Sequence, residues 1–275
     1  MFIRAIRGLT NSDLCHMLID SHTHLYSNQF SEDFDEMIAR ATEAGVAHFL
    51  LPNVDVESID AMHTVVDKLP GRAHAMMGLH PCSVKEDWEI QLATMRAHID
   101  HKTRHYCAIG EIGIDLFWDK STLDIQIQAF ETQINWAKEL GLPIVIHVRD
   151  AFNECFEVMD RMIDDRLSGV FHCFSGNKEQ AQKIIDYKTF KMGIGGVVTF
   201  KNGKIDQFLA DFDLNHFILE TDSPYLAPVP FRGKRNESGY TALVAKKMAE
   251  CFGVSEEVIA STTTKNCIAL FKLNL

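Results

Sequence analysis

The sequence predicts an α/β protein folded as a (β/α)8 TIM barrel, and the order of its apolar and amphipathic segments carries this prediction. Eight short runs rich in Val, Ile and Phe recur along the 275 residues, and amphipathic helical patterns fill the gaps. Such alternation is typical of a parallel sheet whose strands are joined by helices. No Gly-x-Gly-x-x-Gly follows the first run, which weakens the alternative of an open, doubly wound sheet. Eight strand–helix units in a chain of this length therefore favour the barrel.

The predicted strands are the apolar runs themselves. Their starts lie roughly 20 to 40 residues apart, which leaves room for one helix in each gap. They are Leu18–Ile19, Val46–Leu51, Ala73–Leu79, Tyr106–Ile112, Pro143–His147, Gly169–His172, Phe190–Ile194 and His216–Leu219.

The clearest helix signal covers Thr122–Leu140, where apolar residues return at spacings of three and four along one face. Ser121 suits the N-cap of this helix, Gly141 suits the residue after its last turn, and Pro143 prevents continuation. Similar patterns predict the remaining helices: Ser31–Ala44, Val56–Leu69, Asp87–Ile99, Asn153–Asp165, Lys178–Tyr187, Gly203–Asp211, Tyr240–Phe252 and a last one, capped by Ser255, that ends near Phe271.

Residues 17–275 are predicted to form a single barrel domain, because no linker or low-complexity segment divides them. Residues 1–16 are predicted to be an N-terminal extension without a catalytic role. Met17 opens the first strand and could itself serve as a start, and the segment before it lacks the apolar core of a secretory signal.

The composition narrows the class of protein further. Against 27 Lys and Arg there are 38 Asp and Glu, a formal net charge of −11, which argues against a broad basic surface for nucleic acid. Phosphate chemistry stays open, because two bound divalent cations would dominate the potential at their own site.

The seven cysteines are scattered without Cys-x-x-Cys, as expected of the reducing cytoplasm, where we expect the protein to reside. No run of about 18 apolar residues predicts a membrane span, and nothing indicates an obligate protein partner.

The segment Asp20-Ser21-His22-Thr23-His24 directly follows the first apolar run and places two imidazoles one residue apart. In an extended chain, residues i and i+2 project to the same side, so both rings can reach one metal ion. Barrels carry their active-site groups at the carboxyl ends of their strands, which predicts where further ligands should stand.

Further ligand-type residues do stand at the ends of other predicted strands. With His22 and His24 at the first, they are Glu111 at the fourth, His147 at the fifth, His172 at the sixth and Asp222 at the eighth. Each alone could be a packed histidine, a loop acid or a turn cap, but a carboxylate in an apolar setting is costly unless it is paired or metal-bound. Together they predict a site for two divalent cations, with Asp222 and Glu111 as the catalytic carboxylates. Cys173, beside His172, is expected to point into the core.

Seven motifs between Leu18 and Phe271 resemble those of a known family, the TatD-related metal-dependent hydrolases of the amidohydrolase-like barrels. The resemblance implies a dinuclear site in which Glu111 bridges the two ions, and deoxyribonuclease or related phosphodiesterase activity on single-stranded DNA. The motifs are Ile19-Asp20-Ser21-His22-Thr23-His24-Leu25, Gly78-Leu79-His80-Pro81, Gly110-Glu111-Ile112-Gly113-Ile114-Asp115, Pro143-Ile144-Val145-Ile146-His147-Val148-Arg149, His172-Cys173-Phe174-Ser175-Gly176, Glu220-Thr221-Asp222-Ser223-Pro224-Tyr225-Leu226 and Arg232-Gly233-Lys234-Arg235-Asn236.

Two departures from the family pattern fall in loops that we expect to face the substrate. Leu116-Phe117-Trp118 stands where a tyrosine commonly continues the glutamate motif, and Ser238 stands where a proline often follows the Arg-Asn-Glu run. Both bear on the choice of substrate and leave the ligand set intact.

The expected reaction is attack on phosphorus by a metal-activated water, with Asp222 orienting the water and accepting its proton. Histidine and carboxylate ligation suits Zn, Mn, Ni or Fe, and Mg is compatible with a more open site. Two alternatives stay open. The same metals could serve hydrolysis of a carbonyl substrate such as an amide, a lactone or an aminoacyl-tRNA ester, or the barrel could be a metal-binding scaffold without catalysis.

Five side chains are predicted to bind the substrate. Arg149, Arg232 and Arg235 are candidate phosphate clamps, because a guanidinium fork matches phosphate oxygens. His80 is a candidate contact for a substrate oxygen, and Trp118 is a candidate for stacking on a base, which holds single strands with little sequence preference. Three more loop aromatics have the same potential: Phe117, Tyr225 and Phe231.

Overall fold

The computed structural model describes residues 16–275, in which eight parallel strands follow one another in chain order in a single sheet. Ser21 N donates to Leu219 O at 3.0 Å, and a bridge joins Thr23 to Ser223, so the first and last strands nearly close the sheet. This confirms the predicted (β/α)8 barrel. The strands are β1 (Leu18–Asp20), β2 (Val46–Leu51), β3 (Ala73–Met77), β4 (Tyr106–Asp115), β5 (Ile144–Arg149), β6 (Gly169–Phe171), β7 (Phe190–Ile194) and β8 (Phe217–Leu219).

Helices connect most strands and cover the outside of the sheet. The longest one ends as predicted, because Gly141 adopts a left-handed φ of 65° and its N–H donates to Ala137 O. The helices are α1 (Phe34–Glu43), α2 (Ile59–Lys68), α3 (Trp88–Asp100), α4 (Leu123–Leu140), α5 (Phe152–Met162), α6 (Lys178–Asp186), α7 (Thr241–Phe252) and α8 (Glu256–Phe271).

The predicted helix Gly203–Asp211 is wrong. Two short 3-10 turns, Ile205–Gln207 and Leu209–Asp211, occupy that segment. Lys204 has a φ of 56° and Phe208 a φ of −132°, and neither backbone conformation continues an α-helix.

Several strand boundaries differ from the prediction by one or two residues, and the end of β4 differs by three. β4 continues to Asp115 rather than ending at Ile112, so Glu111 lies inside the strand. Asp115 thereby becomes the last residue of β4 and points to the same side as Glu111, four residues before it.

Helix α8 closes the amino end of the barrel. Its Asn266 donates to Phe217 O at the start of β8, and its Thr264 donates to Met17 O just before β1. Apolar side chains of α8 pack against those that fill the barrel interior, a buried cluster that includes Ile19, Leu50, Met76, Val145, Val170, Ile218, Ile268 and Phe271. The carboxyl end of the barrel is left for a cavity.

Residues 1–15 lie outside the described part of the chain. The N-terminal extension predicted for residues 1–16 therefore stays a prediction, as does the single domain of residues 17–275. Across residues 16–275, no helix combines the length and the apolar character that crossing a bilayer requires.

Asp20 joins β1 to the chain that follows β8. Its Oδ1 accepts from Thr221 N at 2.9 Å, and its Oδ2 accepts from Thr221 Oγ1 at 2.6 Å. The carboxyl group is fully buried, and this burial raises its pKa to about 7. Because β1 and β8 are only three residues long, these two bonds are a substantial part of the barrel closure.

Asp20→Ala should lower the free energy of unfolding by about 2–4 kcal/mol, because two buried donors of Thr221 lose their acceptor. Asp20→Asn is the matched control. It should cost less than half as much, since the amide keeps one acceptor oxygen and a group with a pKa of about 7 is already partly neutral at pH 7. Urea unfolding followed by circular dichroism measures both values. Equal losses in the two variants would contradict this account of the closure.

Candidate active site

The six residues predicted as metal ligands converge at the carboxyl end of the barrel. Three overlapping groups drawn from them and His80 bring their ligand atoms within 4.8 Å of one another. The same end holds a cavity of about 1000 Å³, lined by all of them except His22, which is fully buried behind it. The six are His22 and His24 after β1, Glu111 in β4, His147 in β5, His172 after β6 and Asp222 after β8.

The carboxylate of Glu111 lies at the centre of this group and is only 2% exposed. Its Oε2 is 3.2 Å from His22 Nε2 and 3.8 Å from His24 Nε2. Its Oε1 is 3.0 Å from His147 Nδ1 and 2.8 Å from His172 Nε2. The two oxygens of one carboxylate thus face two different pairs of imidazoles.

The turns after β6 and β8 adopt a left-handed backbone, with φ of 46° at Cys173 and 57° at Asp222. Such residues cost about 1–3 kcal/mol of strain each and cluster at functional sites. The second turn brings Asp222 Oδ1 to 3.3 Å from His24 Nε2 and 3.8 Å from His22 Nε2. The first turn breaks the alternation of the strand, so Cys173 lines the cavity, and its predicted place in the core is wrong.

Hydrogen bonds at the outer edge of the rings of His147 and His24 decide which nitrogen carries the proton. For His147, Nε2 lies 2.8 Å from Asp115 Oδ2. Burial opposes ionisation of Asp115, but the hydrogen bond and charge of His147, with the N–H donors of Phe117 and Trp118, together lower its pKa to about 2. Asp115 is therefore an acceptor, His147 carries its proton on Nε2, and the lone pair of Nδ1 points toward Glu111.

The proton of His24 is placed by Tyr26. The hydroxyl of Tyr26 donates to Pro52 O at 2.6 Å, so its oxygen is left to accept from His24 Nδ1 at 2.8 Å. With the proton on Nδ1, the lone pair of Nε2 faces Asp222.

A buried carboxylate stands behind His172 in the same way. Glu220 Oε1 lies 3.4 Å from His172 Nδ1, an electrostatic contact longer than a regular hydrogen bond, and also accepts from Cys173 N. Gly193 makes room for Glu220, because a Cβ there would lie 2.1 Å from Glu220 Oε2. The arrangement favours a proton on Nδ1 and directs Nε2 toward Glu111.

In His80 the proton lies on the ring nitrogen that faces the site, which is the reverse of the arrangement in His147 and His24. Cys82 N donates to His80 Nδ1 at 3.0 Å, so the neutral ring carries its proton on Nε2, which lies 3.2 Å from Glu111 Oε1. Burial lowers the pKa of His80 and keeps the ring neutral. His80 therefore offers a hydrogen-bond donor to the cavity rather than a metal-binding lone pair.

The charges of the central groups depend on one another. Burial opposes ionisation of Glu111, but the surrounding histidines, His172 foremost, hold its pKa well below the usual range. Burial also opposes a charge on His172, yet Glu111 and Glu220 hold its pKa well above the ordinary value. Metal binding to these imidazoles must displace their protons.

Three functional positions in this network were not assigned a role from the sequence: Asp115, Tyr26 and Glu220. Each has a sequence signal in retrospect, because it lies two or four residues from a candidate ligand. Asp115 follows Glu111 by four residues, Tyr26 follows His24 by two, and Glu220 precedes Asp222 by two.

Four of the five predicted substrate-binding residues line the cavity: His80, Arg149, Arg232 and Trp118. The Arg149 guanidinium stacks on the Phe117 ring at 3.6 Å, and Trp118, 71% exposed, lies beside it. Arg232 stacks on Phe200 at 3.5 Å. Lys234, which the sequence did not single out, also lines the cavity, as does Tyr225.

Arg235 lies elsewhere. Its guanidinium makes a bidentate pair with Asp33, at 2.6 and 2.7 Å, and packs over the Phe30 ring. It is absent from the cavity wall among the described residues. Phe231 stacks on Tyr240 with ring centroids 4.4 Å apart and does not line the cavity either.

The donor set fits divalent cations. Four imidazoles, whose ring protons metal ions can displace, and two carboxylates converge on one region, and outer acceptors favour the tautomer that ligation needs in three of the four rings. Such a set at the carboxyl end of a (β/α)8 barrel defines the class of metal-dependent hydrolases built on this fold.

Comparison with known proteins identifies the family within this class. A family model described as TatD related DNase matches residues 19–272. Over 259 residues the chain is 37% identical to YabD of Bacillus subtilis, named an uncharacterized metal-dependent hydrolase, with 94% of this chain and 100% of that protein covered. A Salmonella typhimurium protein named 3'-5' ssDNA/RNA exonuclease TatD is 29% identical over 267 residues, with 93% and 99% covered.

A solved structure shows the same relationship. YjjV, a TatD homologue of Escherichia coli, superposes with a TM-score of 0.87 at 27% identity, with 94% of this chain and 99% of that chain covered. The chain therefore belongs to the TatD family of metal-dependent hydrolases, which confirms the resemblance seen in the sequence motifs.

Asp115→Asn should weaken metal binding by about 10–100-fold although Asp115 is not a ligand. Phe117 N donates to Asp115 Oδ1, so the amide oxygen of the variant stays at that N–H and its NH₂ group faces His147. The ring must then carry its proton on Nδ1, which blocks the ligating lone pair. Titrations with Zn²⁺ and Mn²⁺ by calorimetry measure the loss.

The control for this experiment is Asp119→Asn, which changes an exposed carboxylate of the same loop that bonds to Ser121. It should bind metal as the unmodified protein does. Unchanged affinity in Asp115→Asn would contradict the proton placement on His147.

Proposed function

We propose that the protein is a phosphodiesterase that hydrolyses single-stranded DNA with two divalent cations held at the carboxyl end of its barrel. The observation that supports a site for two metal ions is the orientation of Glu111, whose two oxygens face two separate pairs of imidazoles. A polynucleotide substrate is supported by the name of the Salmonella relative and by the description of the family model.

His22, His24 and Asp222 would hold one ion, and His147 and His172 the other, with Glu111 between them. Two bound divalent ions lower the pKa of water and stabilise the charge on the attacking and leaving oxygens. Histidine-rich ligation suits Zn, Mn, Ni or Fe, and Mg suits a site with more water.

Asp222 would orient the attacking water and accept its proton. Burial opposes its ionisation, but the contact with His24 and the neighbouring histidines hold the pKa of Asp222 below its usual value. The carboxylate is therefore ionised at neutral pH and lines the cavity, as a general base must.

His80 would donate from Nε2 to a phosphate oxygen on which negative charge grows during the reaction. A donor that is fixed at the wall of the site before the substrate arrives needs little reorganisation, which is why such donors are effective. Its proton placement by Cys82 N supports this role.

Arg149 and Arg232 would bind neighbouring phosphates. Each guanidinium stacks on an aromatic ring, which leaves its N–H edges for phosphate oxygens, and neither pairs with a carboxylate within residues 16–275. Trp118 would stack on a base at the mouth of the cavity. Arg235 has no part in this proposal, because Asp33 occupies its guanidinium.

Asp222→Asn should lower kcat on an end-labelled single-stranded oligonucleotide by about 10²–10⁴-fold, because the amide cannot accept the proton of the water. The protein is reconstituted separately with Mg²⁺, Mn²⁺ and Zn²⁺ and assayed on single- and double-stranded DNA. Asp119→Asn, at an exposed loop position, should keep full activity.

A parallel assay on an aminoacyl-tRNA ester tests the chemistry of the bond. Hydrolysis of that ester, with no cleavage of any oligonucleotide or simple phosphodiester, would overturn the proposal in favour of a carbonyl hydrolase.

His80→Ala should lower kcat by about 10²–10³-fold without loss of bound metal, as expected when one preorganised donor is removed. His147→Ala should lose both activity and metal, because that ring supplies a ligand. Metal content per chain and single-turnover rates distinguish the two variants. Loss of metal from His80→Ala to the same extent as from His147→Ala would make His80 a ligand instead.

A further inference from the structure

We propose that a second cavity beside the metal cavity binds the sugar–phosphate backbone of the strand that continues from the scissile bond. This inference rests on the proposed function. The second cavity has a volume of about 840 Å³ and lies among the segments that follow β5, β6 and β7. It shares Val148, Arg149 and Ser175 with the wall of the metal cavity, so a strand can pass from one to the other.

The charges around the second cavity favour an anionic occupant. Arg149, Lys178 and Lys204 line it together with only two carboxylates, Asp150 and Glu154. Asp211 pairs with Lys178 at 2.6 Å, but Arg149 and Lys204 pair with no carboxylate within residues 16–275, in a chain whose net charge is −11. A cationic wall beside the metal cavity is where the next phosphates of a substrate strand would lie.

The uncharged polar groups of the wall are also suited to a backbone. Asn177 and Gln180 form the capping box of α6, in which Asn177 N donates to Gln180 Oε1 and Gln180 N donates to Asn177 Oδ1, each at 2.8 Å. The box uses the carbonyl oxygens of both side chains and leaves both NH₂ groups available as donors. Asn153 and Gln207 add two further amides to the same wall. Amide and cationic donors to phosphate and sugar oxygens position a strand without reading its sequence.

Arg149 lies at the junction of the two cavities. Its stacking on Phe117 at 3.6 Å holds the guanidinium in place while its N–H edges stay free for a phosphate. Beyond the junction, Phe152 and Phe208 add apolar surface to the otherwise polar wall, which suits sugars or bases between the phosphates. The second cavity thus combines the cationic and aromatic components of single-strand binding sites.

The double variant Lys178→Gln/Lys204→Gln tests the inference with two substrates. One is a single-stranded oligonucleotide of about a dozen nucleotides. The other is bis(p-nitrophenyl) phosphate, which is too small to extend from the metal cavity into the second cavity. KM for the oligonucleotide should rise about 5–20-fold, and the salt dependence of log KM should weaken by about 0.7 per lysine. kcat/KM for the small diester should keep its original value. Within residues 16–275 Lys178 forms an ion pair with exposed Asp211 alone, so its replacement should cost little stability.

Lys188→Gln is the matched control. Lys188 is exposed and left-handed like Lys204, with φ of 63° against 56°, but it lies between α6 and β7 at the opposite end of the barrel. An oligonucleotide KM of the double variant no higher than that of Lys188→Gln would overturn the inference, as would an equal loss on the small diester. If the unmodified protein cleaves neither substrate, the proposed function itself fails, and that outcome is distinct from a neutral effect of the lysines.

Discussion

Glu111 holds a carboxylate, 2% exposed, against the imidazoles of His22, His24, His80, His147 and His172. An ionised carboxylate that leaves water loses several kcal/mol of solvation, which nearby positive charge must offset. Protons on the rings can supply that charge, and so can divalent cations. The cations are favoured only if the rings present lone pairs toward the carboxylate, so the outer hydrogen bonds of the histidines decide which form the site takes. Asp115 and Tyr26 supply such hydrogen bonds from outside the ligand set, and Glu220 adds an electrostatic contact to His172.

The closure of the barrel and the assembly of the site depend on the same segment pair. Asp20 accepts two hydrogen bonds from Thr221. Two residues after Asp20 and one residue after Thr221, Asp222 N donates to His22 O at 2.9 Å. The bonds that join the first and last strands thus also place a carboxylate from one beside an imidazole from the other. Because α8 fills the amino end of the barrel, a cavity at the carboxyl end does not interrupt the apolar interior. Such separation lets loops vary around the cavity while the core stays packed.

The barrel and the convergence of the six candidate ligands could be anticipated because both follow from periodic patterns. Buried strands appear as apolar runs, and groups at their carboxyl ends must meet in a closed parallel sheet. Departures occur where the backbone leaves regular geometry: Cys173 has a left-handed φ that reverses its direction, and Lys204 and Phe208 break a helix whose side-chain pattern is otherwise acceptable. Arg235 illustrates a different limit, because its partner Asp33 is 202 residues away in sequence and no local pattern reveals such a pair. Local patterns do not reveal the tautomers of the histidines either, because the proton on His24 depends on Tyr26 and on Pro52 O together.

An acidic protein can act on a polyanion if its positive charges lie close to the substrate and its distant negative charges are screened by salt. At physiological ionic strength the Debye length is about 8 Å, so carboxylates spread over the surface of a barrel contribute little at the cavity mouth. The local potential there depends on bound cations and on Arg149, Arg232 and Lys234. A few guanidinium and ammonium groups, with aromatic rings beside them, give binding that is salt-dependent and indifferent to sequence. Such binding would suit the proposed hydrolysis of single-stranded DNA, so a net charge of −11 counts against tight nucleic-acid binding without counting against phosphodiester hydrolysis.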